Sequence, residues 1–118
     1  MASKATNQAW LDLVAETALE PDVPIIDPHH HLWDGWRHMV QPRYLIDEMA
    51  ADLGGGHNVV ATVFIECGEM FRADGPEAMR CVGETEFVNG MAAMSASGRY
   101  GRTRIAAGYL GPVDLRIG

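Results

Sequence analysis

The segment that decides the fold is Val59–Ile65, VVATVFI, which is apolar at nearly every position and rich in β-branched residues. A strand with one face in water alternates apolar and polar side chains, and this segment does not. The pattern therefore predicts a strand covered on both faces, as parallel strands between helices are. Two further short strands are predicted, one at residues 25–26 that Pro28 ends and one at Arg104–Leu110, RIAAGYL.

Helical patterns separate the three predicted strands. Residues 6–19 carry an apolar stripe at i, i+3, i+4, i+7 spacing, and residues 44–53 form a second helix that three glycines end. A third helical region extends from residue 76 to about residue 97, and residues 113–117 begin another element. The stretch up to Pro42 that follows the first strand fits neither period and is predicted to be a loop. Alternating strands and helices predict an α/β fold with right-handed parallel crossovers.

Composition narrows the class of protein. The chain has 118 residues, 47% of them hydrophobic, with a formal net charge of −7, so it is neither a disordered nor a collagen-like chain. Without a Lys/Arg cluster, no nucleic-acid partner is expected. The longest apolar run, Val59–Ile65, is far shorter than the roughly 20 residues that span a bilayer, and no secretory signal begins the chain. We therefore expect a cytoplasmic protein with no membrane partner, in which Cys67 is a small buried hydrophobe.

Three histidines follow the first strand, in the sequence IIDPHHHLWD at residues 25–34. Because side chains alternate along an extended segment, His29 and His31 point to one side and His30 points away. Two imidazoles placed in this way can converge on one divalent metal ion. Asp27 shares their side and Asp34 is close in sequence, and we expect one of these carboxylates, Asp27 in the first instance, to accept an imidazole N–H from outside the ligand shell and fix the tautomer. By spacing alone, a solvated loop or an adventitious metal binder stays open.

Other polar and aromatic residues lie near the predicted strand ends. Glu66 directly follows the second strand, Arg72 lies in the next loop, and Trp33 follows the histidines, so all three are candidate substrate contacts. Each has a structural alternative: Glu66 pairs with a neighbouring base or caps the loop, Arg72 is solvated, and Trp33 packs on the strand ends. Glu84 and Glu86 are predicted to be surface or helix-packing residues.

The histidine segment also resembles a known family. Together with residues 59–79 and 84–98, it is similar to the amidohydrolase superfamily, in particular to the amidohydrolase-related branch of TIM-barrel metal-dependent hydrolases, which also contains lactonases and decarboxylases. The pattern Asp-x-His-x-His-x-Trp carries most of the likeness, which extends from Ile25 to Gly118. The resemblance implies that His29 and His31 bind a catalytic divalent metal ion, zinc in the first instance. Some lactonases of this branch work without a metal, and the histidines then contact substrate.

The family's barrel has eight βα units. The predicted strands begin near residues 25, 59 and 104, and eight units of about 40 residues each would total about 320. We therefore expect residues 25–118 to be the first three βα units of a TIM (β/α)8 barrel, preceded by a helical segment at residues 1–24. The catalytic residues are expected beyond Gly118, because His38 and His57 match no family position.

The resemblance implies a hydrolase that acts on a small-molecule lactone, amide or ester. A divalent metal would polarise the carbonyl and lower the pKa of bound water, and an aspartate from a later strand would act as the base. A decarboxylase on the same barrel is one alternative. A truncated, non-catalytic product that forms homo-oligomers through an exposed apolar face is the other, and the 118-residue chain alone is expected to be inactive.

Overall fold

A computed structural model of the chain describes residues 8–117. Its elements, in chain order, are helix α1 (Gln8–Leu11), strands β1 (Ile25–His30), β2 (Trp33–Asp34) and β3 (Arg43–Tyr44), helix α2 (Ile46–Leu53), strand β4 (Val59–Ile65), helix α3 (Val82–Ala96) and strand β5 (Arg104–Leu110). Single 3-10 turns lie at Glu77–Met79 and Leu115–Ile117. None of the helices within this part of the chain is both long and apolar enough to cross a membrane.

The main sheet has three parallel strands in the order β1-β4-β5. The central strand β4 pairs with β1 at Ile26↔Ala61 and with β5 at Phe64↔Tyr109. Helix α2 lies in the connection from β1 to β4, and α3 lies in the connection from β4 to β5. The predicted mixed α/β fold is confirmed, and the bounds predicted for β4 and β5 are those observed.

One hydrophobic core lies between the sheet and the two longer helices. Phe64 of β4 and Ile105 of β5 belong to the same buried cluster as Ile46 of α2 and Val88 of α3. Phe64, with 1% of its surface exposed, is the largest fully buried side chain among the described residues. Because α2 and α3 contribute to one cluster, both helices cover the same face of the sheet.

The opposite face of β4 is only partly covered. Thr62 and Phe64 are buried, whereas the alternating residues Ala61, Val63 and Ile65 are half-buried. The prediction that β4 is covered on both faces is therefore wrong for the described residues, since both longer helices lie on the Phe64 side.

The predicted N-terminal helix is much shorter than expected. Its first two positions lie outside the described residues, and α1 ends at Leu11 instead of residue 19. Among the described residues, the apolar members of the stripe are exposed: Trp10 by 69%, Leu13 by 75% and Val14 by 71%. Since short helices in water depend on packing an apolar face, the pattern alone does not sustain a helix here.

Strand β1 continues past Pro28, which was predicted to end it. The pairing of β1 with β4 shifts register between Asp27 and His30, so no regular ladder hydrogen bond is required at the proline. In the described chain β1 is also an edge strand, and edge strands and bulges are where sheets tolerate proline. This shift carries the strand as far as His30.

A second, two-stranded sheet interrupts the predicted loop. β2 and β3 pair antiparallel at Trp33↔Tyr44 and Asp34↔Arg43. The rings of Trp33 and Tyr44 stack with centroids 5.0 Å apart, which is the cross-strand contact that stabilises such a pair. Because Tyr44 belongs to β3, helix α2 begins at Ile46 and not at residue 44. The predicted helical region at residues 76–97 is likewise divided between the 3-10 turn Glu77–Met79 and α3.

Candidate metal site

The structure brings His29 and His31 together at the carboxyl end of β1. Their Nε2 atoms lie 3.3 Å apart, and the ring planes are nearly perpendicular, with centroids 5.0 Å apart. His29 is exposed and His31 is half-buried, so the pair is open to solvent on one side. The two-residue alternation of an extended strand explains why the rings meet.

A backbone carbonyl orients the His31 ring. The Nδ1 atom of His31 lies 2.8 Å from the carbonyl oxygen of Ile65, the last residue of β4. A carbonyl oxygen can only accept, so Nδ1–H is the donor. In the neutral ring the unprotonated nitrogen is then Nε2, the atom that faces His29. Metal-binding histidines are typically fixed in this way, with the second ring nitrogen donating to a carbonyl or carboxylate.

The pair fits part of a metal coordination shell. Two imidazole nitrogens at ~2.0–2.1 Å from a tetrahedral zinc ion lie about 3.3–3.4 Å apart. The observed 3.3 Å between the Nε2 atoms of His29 and His31 matches that separation. Within residues 8–117 no group of three or more His, Cys, Asp or Glu side chains could hold a metal. The described chain therefore supplies two converging donors, whereas a catalytic zinc site takes three protein ligands.

Asp27 supports the pair through the backbone. Its Oδ1 accepts the backbone N–H of His29 at 3.1 Å, rather than the imidazole N–H expected from the sequence. This hydrogen bond lies at the proline-containing irregularity of β1, where the ladder is interrupted. Asp27 thus fixes the main chain that carries the first histidine.

His30 points away from the pair, as the alternation predicts, and lies in the core. Its Nε2 is 3.0 Å from the hydroxyl of Thr62, which also accepts the backbone N–H of Ala106 at 2.9 Å. The ring makes an edge contact with Phe64, and Nδ1 is buried without a hydrogen-bond partner. Burial lowers the pKa of His30 from its ordinary value, which favours a neutral ring beside Phe64.

Trp33 lies in a stack of aromatic rings. Its ring is flanked by Tyr44 and by Trp36, whose centroid is 5.6 Å away, and Trp36 stacks in turn on His38. The indole N–H of Trp33 donates to the carbonyl oxygen of Gln41 at 2.9 Å. The structure therefore places Trp33 in a packed stack, and its proposed contact with substrate stays a prediction.

Glu66 and Arg72 do not meet. Glu66 is exposed beyond β4, where it lines an open cavity of about 890 Å³ together with Phe71 and Arg80. Arg72 forms two hydrogen bonds with Glu86 of α3, one of them 3.1 Å long, so its guanidinium edge already holds a carboxylate. The same hydrogen bonds hold the pKa of the exposed Glu86 below its ordinary value. A substrate carboxylate would have to displace Glu86 to bind this Nε/Nη2 edge of Arg72.

Two glutamates accept hydrogen bonds that were not predicted from the sequence. Glu84 is only 1% exposed, and its Oε1 accepts the backbone N–H groups of Cys67 and Glu69, each at 2.9 Å. Glu69 in turn accepts the indole N–H of Trp36. Glu84 packs inside the helix layer, so its expected surface position is wrong and its expected packing position is correct. The signal was available, because Glu84 lies one helical turn before Val88 on the face that meets the sheet.

Cys67 lies half-buried beside these glutamates. Burial, followed by the nearby carboxylate of Glu84, raises the pKa of the Cys67 thiol to about 12. The thiol therefore stays protonated over the whole physiological range, which fits the expected small hydrophobe.

We expect Cys67 to resist alkylation in the folded protein. A pKa of about 12 leaves about 3,000-fold less thiolate near neutral pH than an ordinary thiol with a pKa of ~8.5, and only the thiolate reacts. Peptide mass mapping after iodoacetamide treatment measures this, with the urea-unfolded chain as the control and the rate rising as the pH approaches 12. Equal rates for Cys67 in the native and unfolded chains would contradict the prediction.

Comparisons with protein-family models, with curated proteins and with solved structures return no match for this chain.

Proposed function

We propose that His29 and His31 hold a divalent metal ion, zinc in the first instance, in an amidohydrolase-type enzyme that hydrolyses a small-molecule lactone, amide or ester. The observation that carries the proposal is the 3.3 Å separation of the two Nε2 atoms, together with the Ile65 carbonyl that accepts the other N–H of His31. Two zinc-bound imidazole nitrogens lie at the same separation, and a metal-binding histidine typically donates its other ring N–H to a carbonyl or carboxylate in the same way.

The fold supports a barrel as the larger architecture. The three parallel strands follow one another in chain order, and both longer helices cover one face of the sheet. In a (β/α)8 barrel every helix lies outside and the inner face of each strand is packed by other strands, whereas doubly wound sheets carry helices on both faces. The half-buried residues Val63 and Ile65 occupy the face that would line the barrel interior. We propose that residues 25–118 are the first three βα units of such a barrel.

The residues of this chain have defined tasks in the proposal. Ile65 keeps the proton of His31 on Nδ1, so His31 Nε2 accepts a hydrogen bond from His29 Nε2–H, and Asp27 fixes the backbone of His29. The His31 lone pair is thus ready for an ion, and His29 binds the same ion once its proton moves to Nδ1. A divalent metal at this position supplies Lewis acidity toward a substrate carbonyl and lowers the pKa of water. In this proposal the remaining ligands and the carboxylate base come from later strands beyond Gly118. Reading the coding sequence past that residue tests this assignment.

Replacing His31 by Ala is expected to weaken Co²⁺ or Zn²⁺ binding by at least about 100-fold. The loss of an outer partner of a ligand costs ~10–100-fold, and His31 is proposed to be a ligand itself. Competition titration with a chromophoric chelator measures the affinity. His57→Ala is the matched control, because His57 is an exposed histidine outside the pair and its replacement should leave the affinity unchanged. If His31→Ala binds the metal as tightly as the unaltered chain, the proposed function fails.

A further inference from the structure

Two stretches of chain lie side by side at the carboxyl ends of β1 and β4. The first, residues 31–36, contains His31 and the start of the aromatic stack. The second stretch, the strand-end segment, comprises residues 65–69. Four hydrogen bonds join them. Two have backbone carbonyl acceptors: His31 Nδ1 donates to the Ile65 oxygen at 2.8 Å, and Cys67 Sγ donates to the Leu32 oxygen at 3.5 Å. The other two have Glu69 as acceptor: the backbone N–H of Asp34 donates to Oε2 at 3.3 Å, and the indole N–H of Trp36 donates to Oε1. The position of His31 therefore depends on the position of the strand-end segment.

Glu84 holds the strand-end segment from the opposite side. Its Oε1 is the acceptor for the N–H groups of both Cys67 and Glu69 at 2.9 Å, beyond the last residue of β4. Glu84 is 1% exposed, so bulk water has little access to these bonds. Hydrogen bonds to a carboxylate are among the stronger ones in proteins. Without this acceptor, two N–H groups beneath α3 would be unpaired and the segment would have to move to satisfy them.

We propose that Glu84 is a positioning residue for the histidine pair. By holding the N–H groups of Cys67 and Glu69, it fixes the strand-end segment, and the Ile65 carbonyl at the start of that segment sets the tautomer and ring orientation of His31. The consequence for metal binding rests on the proposed function. The orientation of the imidazole does not, because it is measured in the metal-free chain.

Two substitutions separate the reach of the Glu84 side chain from its charge. Glu84→Asp keeps the charge and withdraws the acceptor by one methylene, whereas Glu84→Gln keeps an acceptor oxygen at the same reach and removes the charge. If Glu84 acts by position, the Asp variant loses the His31 orientation and the Gln variant retains it. Glu86→Ala is the matched control, because Glu86 is an exposed carboxylate of the same helix whose side chain pairs with Arg72.

The test is ¹⁵N NMR of the imidazoles in the metal-free chain at about pH 8.5, above the usual His pKa of ~6.5. In the unaltered chain, in Glu84→Gln and in Glu86→Ala, His31 should carry its proton on Nδ1. In Glu84→Asp and in Glu84→Ala it should exchange between both tautomers, with Co²⁺ affinity lower by about 10-fold or more. Circular dichroism establishes that each variant is folded, and the Asp variant decides the question if the Ala variant does not fold.

An unchanged His31 tautomer in folded Glu84→Asp would overturn the positioning role, and so would loss of the His31 orientation in folded Glu84→Gln. If the unaltered chain binds Co²⁺ no better than His31→Ala, the proposed metal function fails, but the tautomer still decides the role of Glu84.

Discussion

Replacing Phe64 by Ala is expected to lower the free energy of unfolding by about 3–5 kcal/mol, the range found for buried aromatic side chains. Phe64 is 1% exposed at the centre of the sheet, in the cluster to which β4, β5, α2 and α3 all contribute. The cavity left by its ring cannot close without moving the edge contact with His30, whose centroid is 5.7 Å away. Since small domains are stable by only ~5–15 kcal/mol, this loss is a large part of the total.

Urea denaturation followed by circular dichroism measures the change. Phe71→Ala is the matched control: the same side chain is removed, but Phe71 is 46% exposed in the loop after β4, so we expect a loss below about 1 kcal/mol. Similar losses for the two variants would mean that the sheet-and-helix core is not where the stability of the chain resides.

The three main strands could be predicted because their residues settle the structure locally. Val59–Ile65 is rich in β-branched residues and apolar at nearly every position, and no helical period competes with it, so its observed bounds are those expected. The N-terminal stripe shows the limit of the same reasoning. An amphipathic pattern predicts a helix only if something covers its apolar face, and Leu13 and Val14 are more than 70% exposed among the described residues.

The β2–β3 pair was beyond prediction for a different reason. Two strands of two residues each have no period, and their pairing depends on rings eleven positions apart in the chain, those of Trp33 and Tyr44. The pair also explains why α2 begins later than its pattern indicates, because Tyr44 is paired in the second sheet.

One part of the candidate site could be predicted from local sequence, and the other part could not. That His29 and His31 share a side follows from strand alternation, a local property. That Ile65 orients His31, and that Glu84 supports the segment after Ile65, depends on contacts between residues far apart in the chain. A carboxylate on the core-facing side of a helix was the visible sign, but only the fold identifies the N–H groups that it accepts.

Replacing Gly83 by Ala is expected to destabilise the protein by about 3 kcal/mol, although alanine is the better helix former. A Cβ at Gly83 would lie 2.3 Å from the Met70 carbonyl oxygen and 2.8 Å from the Arg72 nitrogen, and both are backbone atoms. The loop cannot easily yield, since Met70 already has a φ of +54°, a left-handed conformation that is unfavourable for a side-chain-bearing residue.

The matched control for Gly83→Ala is Gly90→Ala in the same helix, where a Cβ would meet nothing within 4 Å. There the gain in helix propensity is unopposed, and we expect stabilisation by about 0.5–1 kcal/mol, so urea denaturation should give changes of opposite sign. Gly83 directly precedes Glu84, and the close approach of α3 to the loop allows the carboxylate to reach the N–H groups of Cys67 and Glu69. A folded Gly83→Ala variant should therefore also lose the His31 orientation, whereas a neutral effect on both stability and tautomer would show that this close approach is not required.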